Sequence, residues 1–181
     1  MFNNRNIQSS CYRSSEATTA VISDALQSYS CIHLACHASQ DPKDPLDSAF
    51  HLYDGPLRLS EIIRKDLPHA DLAFMSACQT SAGDEQLPEE AMHLAAGMLA
   101  AGYRSVVGTM WSISDRHAPE VAEDFYRCLL GEGNRTSEES RGLDVTRSSW
   151  ALHSAIRSLR ERLGYSSEAL LTWIPYVHFG V

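Results

Sequence analysis

Two kinds of apolar pattern alternate along the chain. Short continuous blocks, CIHLAC (31–36), DLAFMSA (71–77) and SVVGTMW (105–111), have the length and composition of strands buried on both faces. Between them apolar residues recur three and four apart, as a helix requires. In EATTAVISDALQSY (16–29) they are Ala20, Val21, Ala25 and Leu26. Further helices are predicted over SEIIRKDL with Ser60 as N-cap, over 89–101 between Pro88 and Gly102, and from a cap at Ser114 or Asp115 to about Leu130. A last one covers WALHSAIRSLRERL, with Leu152, Ile156, Leu159 and Leu163 on one face.

The connecting stretches carry turn chemistry. Residues 37–46 read as a loop, with Asp41-Pro42 and Asp44-Pro45 as turn signals. AFHLYDGPLRL reads as a hairpin around Asp54-Gly55. Residues 131–149 read as a flexible surface loop, and WIPYVHFG as a closing edge strand. Apolar strands separated by amphipathic helices predict an α/β fold, a mostly parallel sheet with helices on both faces. There is no internal repeat. The first helix has no strand before it, so opening elements are expected upstream. Residues 1–15 read as a linker and 16–181 as the domain.

Composition narrows the function classes. A chain of 181 residues suits one domain. No apolar run reaches the roughly 18 residues of a membrane span. The polar N-terminus lacks the core of a signal peptide, so a cytoplasmic setting is expected. The five cysteines are odd in number and form no CxxC pair, which argues against a disulfide framework or a zinc site. A net charge of −8 disfavours nucleic acid as a partner and favours a basic substrate segment.

Candidate chemistry sits at the ends of the apolar runs. In an open parallel sheet, ligands bind beyond the carboxyl ends of the strands. His37 follows the first block, Cys78 the second, and Asp115 lies four residues past Trp111. If the first two strands are neighbours, imidazole and thiol meet in one crevice. The imidazole then activates the thiol and returns a proton to a leaving amine. Backbone N–H groups at Cys78 and Ala38 are candidate oxyanion donors, and a carboxylate at Asp115 would favour a cationic side chain. Plainer readings stand beside these. Cys78 can be a small buried hydrophobe, Asp115 a helix cap, and His33 a hydrogen-bonded core histidine that competes with His37. Cys36 falls on the opposite strand face from His37, and Cys31 and Cys128 read as core.

The HLACHA element, the DG turn, ADLAFMSACQTSAG, AAGYRSVVGTMWSISD and the closing ALHSAIRSLRERLG with WIPYVHFG together resemble a CHAT domain. The resemblance runs from about residue 16 to residue 180, interrupted at 131–149. CHAT domains are caspase-like cysteine peptidases related to separase, often fused behind TPR-type repeats. The resemblance implies a caspase–haemoglobinase-like fold, His37 and Cys78 as a catalytic dyad, and no metal or organic cofactor. It implies Asp115, in WSISD, as the selector of an arginine side chain. It also implies Ser76, two residues before the nucleophile, as a neutral part of the specificity pocket. The expected activity is cleavage of a protein partner after a basic residue, in regulated proteolysis such as cell death or defence. Arg135, Arg141 and Arg147 then become candidate self-processing points, though a tolerated insertion is the simpler reading. The family usually has glycine where this chain has Ala38. A positive φ there would strain alanine and weaken an oxyanion donor. A catalytically weak pseudo-peptidase acting as an interaction module is therefore the alternative, and a transferase or deamidase using the same dyad is a third reading. Asp41, Asp44, Asp47 and Asp54 read as solvated loop carboxylates in preference to a calcium site.

Overall fold

The computed structural model describes residues 7–41, 43–76, 78–79, 91–111, 113, 116–131 and 143–181. In chain order its elements are α1 (Thr19–Ser28), β1 (Cys31–Leu34), β2 (His37–Ser39), β3 (Ala49–His51), β4 (Pro56–Arg58) and α2 (Leu59–Ile63). Then come β5 (Leu72–Met75), β6 (Cys78–Gln79), α3 (Ala91–Ala100), β7 (Ser105–Thr109), α4 (Ala118–Leu129), α5 (Ser148–Leu163), α6 (Ser167–Trp173) and β8 (Tyr176–Gly180).

The three apolar blocks make three neighbouring strands of the main sheet, ordered β1-β5-β7-β8, with β5 and β7 central and β1 at an edge. β1, β5 and β7 are parallel, and β8 closes one edge antiparallel to β7. Alternation along each strand sends side chains into two separate cores. Leu34, Ala73, Met75 and Val106 pack with Ile22 and Leu26 of α1, Ile62 of α2 and Met98 of α3. Leu72, Phe74 and Val107 pack on the other face with Val121, Phe125 and Leu129 of α4 and with Leu152 and Leu159 of α5. Burial on both faces is what makes β5 and β7 read as unbroken apolar runs, whereas in the edge strand β1 only Leu34 is fully buried. No helix among the described residues is long and apolar enough to cross a membrane.

The Asp54-Gly55 hairpin forms as expected, with β3 and β4 antiparallel. Its Asp54 also caps α1. The carboxylate accepts hydrogen bonds from the Thr19 backbone N–H at 2.7 Å and the Thr19 hydroxyl at 3.1 Å, and these hold its pKa below the usual carboxylate value.

Several predicted boundaries move. Ser60 is not the cap of α2: the helix starts at Leu59 behind Arg58, because Leu59 is pulled into the core at 1% exposure. α4 has its N-cap position at His117, while Ser114 and Asp115 lie outside the described residues. Residues 143–149 are not loose. Val145–Arg147 form a 3-10 turn, and α5 already starts at Ser148, which is buried and donates its hydroxyl hydrogen to the Val145 carbonyl at 2.6 Å. Arg147 lies in that turn with its guanidinium 4.2 Å from the Trp150 ring, while Arg135 and Arg141 fall outside the described residues. α6 was missed by the pattern; it is a short helix capped by Ser166, which accepts from Ala169 N–H.

Gly180 shows how tightly β8 is held. Its φ is +104°, and a Cβ there would sit 2.1 Å from the Arg104 carbonyl oxygen. Gly180→Ala is expected to destabilise the fold by at least about 1 kcal/mol. That corresponds to a thermal midpoint lower by about 2–4 °C, read by calorimetry or circular dichroism.

Candidate functional site

The predicted adjacency of the first two strands is present, and it extends further than the apolar blocks. β1 pairs with β5 in parallel, Cys31 opposite Leu72 and Leu34 opposite Met75. Each chain then leaves the main sheet within two residues and enters a second sheet, ordered β4-β3-β2-β6. There the parallel pairing resumes with its register unchanged, so that His37 lies opposite Cys78 and Ala38 opposite Gln79. Hydrogen-bonded strands run about 4.8 Å apart. The backbone therefore brings the histidine and the cysteine to directly neighbouring register positions. Residue 37 was expected at the start of a loop, but it opens a strand. β2 exists because it is paired on both sides, with β3 as well as β6. The same break leaves Cys36 between the two strands, so its expected place on the strand face opposite His37 does not apply.

His37 is exposed, and Ala38 is fully buried beneath it in the core shared with Phe50. Ala38 pairs with Phe50 in extended conformation. Among the described residues Ser14 is the only non-glycine with positive φ, so alanine in place of glycine brings no backbone strain at this position. Across the ladder His51 faces His37, and its Nε2 lies 2.8 Å from the Ser39 hydroxyl.

Ser76 is held twice by β1. Its N–H donates to the Leu34 carbonyl at 2.9 Å, and its Oγ lies 3.0 Å from His33 Nε2. The His33 ring packs 4.8 Å from Phe74 and 5.7 Å from Tyr126, centroid to centroid. This crowding pushes its pKa down to about 4, so the imidazole is neutral near pH 7. One side of the ring still opens on a groove of about 770 Å³ that follows the outer edge of β1. His33 is thus hydrogen-bonded, as its place within the apolar run suggested, but it is an exposed residue of an edge strand and not a core histidine.

Three thiols elsewhere in the chain are held protonated by their surroundings. Burial pushes Cys36 up to about 11 and also raises Cys31 and Cys128. Cys11 is exposed and lines the groove that follows β1. Asp115 lies outside the described residues, although β7, which leads to it, neighbours β5 as the layout required. The loop carboxylates act on backbone groups. Asp41 accepts from the N–H of Lys43 and Asp44, and Asp44 accepts from that of Leu46. Among the described residues no group of three or more His, Cys, Asp or Glu is placed to hold a metal ion.

Two features of the site were not drawn from the sequence. One is the second sheet, whose strands are too short for a periodic signal. The other is the common register. A signal for it existed, because His37 is the seventh residue from Cys31 and Cys78 the seventh from Leu72. Equal arms from two paired strands end side by side. A comparison with curated proteins finds no significant match. The model of one protein family, described as the CHAT domain, matches residues 3–180. With nearly its whole length matched and a mostly parallel sheet flanked by helices, the chain belongs to the CHAT domain family of caspase-like, cysteine-peptidase-related domains.

Proposed function

We propose that this chain is a cysteine endopeptidase that cleaves a protein partner after a basic residue, with Cys78 as nucleophile and His37 as general base and acid. The observation that carries the reading is the parallel register of His37 with Cys78 across neighbouring strands. The exposure of His37 supports it, since the imidazole must reach substrate and water.

In the proposed cycle His37 takes the Cys78 thiol proton. The thiolate adds to the scissile carbonyl carbon, and the π electrons move onto oxygen. Backbone N–H groups at Cys78 and Ala38 donate to that oxyanion. Collapse expels the amine, which takes the proton from the His37 imidazolium and leaves a thioester. Water, losing a proton to His37, then adds to the thioester, and the thiolate departs with the free carboxylate formed. Ser76, two residues before Cys78, contributes a neutral hydroxyl to the pocket for the preceding side chain. Asp115 supplies the charge that selects arginine. The net charge of −8 draws a basic segment toward the protein. In a full-length protein, TPR-type repeats upstream would regulate access, in cell death or defence signalling.

An arginyl chloromethyl ketone tests the reading. It is expected to alkylate Cys78 in the wild type and not in Cys78→Ala. Labelling at Cys36 instead overturns the assignment. A panel of Arg, Lys, Leu and Asp fluorogenic peptides completes the test. Background rates that do not differ between wild type and Cys78→Ser would identify an inactive interaction module.

Specificity is tested separately. Losing the charge at Asp115 removes a charge-assisted hydrogen bond worth about 1.5–3 kcal/mol. Asp115→Ala is therefore expected to lower kcat/KM for arginyl peptides by about 10- to 100-fold, and to leave leucyl peptides within about threefold. Equal losses on both would make Asp115 a structural residue.

A further inference from the structure

We propose that His33 is a positioning residue of the site, holding the Ser76 turn so that Cys78 is presented to His37, without itself touching substrate. This rests on the peptidase reading for its purpose, but its physical content is independent of turnover.

The argument starts from the two short excursions that leave the main sheet. Two residues separate Leu34 from His37, and two separate Met75 from Cys78. Register on the far side survives only if both excursions have the same shape. On the cysteine side the anchoring is visible at Ser76. Its N–H continues the ladder to the Leu34 carbonyl at 2.9 Å, and its hydroxyl meets His33 Nε2 at 3.0 Å. Both partners belong to β1, the strand from which the chain runs on through two residues to His37 at the start of β2. A main-chain bond alone fixes one point of a turn, while the second bond from the side chain fixes its rotation as well. The ring that makes this second bond packs on aromatic rings and is open to the groove along β1. His33 is the register partner of Phe74, packs against its ring, and meets Tyr126 of α4 beyond it. An aromatic shelf built from β5 and α4 thus aims one nitrogen at one hydroxyl.

Neutrality suits the role. With its pKa pushed down to about 4 by burial, the imidazole pairs with the hydroxyl and brings no second positive charge near the pocket proposed for a basic side chain. A purely structural histidine would contribute to global stability and leave the Cys78 segment as rigid as before. A positioning histidine acts locally.

The experiment compares wild type, His33→Ala, His33→Gln, Ser76→Ala and the double variant His33→Ala with Ser76→Ala. Two readouts are taken. Hydrogen exchange follows the amides of residues 76–79, with α5 as the reference element. Iodoacetamide alkylation at pH 7 follows Cys78, with the exposed Cys11 as the reference thiol. His33→Ala and Ser76→Ala are each expected to speed exchange at 76–79 about tenfold or more, with α5 unchanged. Each is also expected to slow Cys78 alkylation by about fivefold, because a loosened thiol loses its imidazole partner. The double variant should go no further, since both changes remove the same bond. Gln places an amide near the position of Nε2 and is expected to restore both readouts to within about twofold of wild type. Exchange at 76–79 that matches wild type in His33→Ala overturns the proposal. Additive losses in the double variant, or a Gln variant as impaired as the Ala variant, do the same. If no protein in the set cleaves any arginyl peptide while the exchange pattern holds, the peptidase reading fails and the positioning role stands.

Discussion

Cys78→Ala is expected to lower turnover of arginyl peptides by about 10⁴-fold or more, to the background of the assay, while the fold stays intact. Without the sulfur no thioester forms, and water attack aided by His37 alone recovers little of the rate. The measurement is kcat/KM on a fluorogenic arginyl peptide, with circular dichroism to show the fold is retained. The prediction is specific to one of five cysteines. Cys36, next to His37 in sequence, has its thiol pushed up to about 11 by burial and is protonated at neutral pH. Cys31 and Cys128 are raised for the same reason. Cys36→Ala should therefore keep wild-type kcat/KM to within about twofold. A Cys36 variant that loses activity while the Cys78 variant keeps it would reverse the assignment of the nucleophile.

The largest effect on stability is expected at Phe74. This residue lies in the middle of β5 with no exposed surface and forms the centre of the second core. Its ring is 4.9 Å from Phe125 and 5.7 Å from Tyr126 on α4, and 4.8 Å from His33 on β1. Phe74→Ala is expected to cost about 3–5 kcal/mol, the transfer free energy of the ring plus the cavity it leaves. The thermal midpoint should fall by about 6–20 °C. A fall of less than about 3 °C would mean that α4 collapses onto the sheet and refills the space. Because the same ring supports His33, the variant also tests whether the aromatic shelf is coupled to the site. Loss of Cys78 reactivity well below the unfolding midpoint is the expected sign of that coupling.

Much of the fold could be read from the chain because apolar runs of strand length leave a strong pattern. CIHLAC, DLAFMSA and SVVGTMW became three adjacent parallel strands, and WIPYVHFG became the antiparallel edge. The helical stripes of 16–29 and 150–163 became α1 and α5, because only one side of each meets the sheet. The failures have a common cause. β2, β6 and α6 are too short for periodicity to register, and they form because neighbours complete them. Leu59 displaced Ser60 from the start of α2 because core packing outweighs a cap, and Ser148 was drawn out of a polar stretch into a buried position.

The sequence by itself determined which residues carry reactive groups, that each follows an apolar block at equal reach, and that those blocks build a parallel sheet. Local composition is enough for that, since hydrophobic burial depends on pattern. Tertiary structure alone decided that both chains cross into a second sheet without losing register, that β2 is paired on both sides, and that His33 meets Ser76 across the ladder. The pairings of His37 with Cys78 and of His33 with Ser76 join residues some forty positions apart, and nothing local to either segment specifies them.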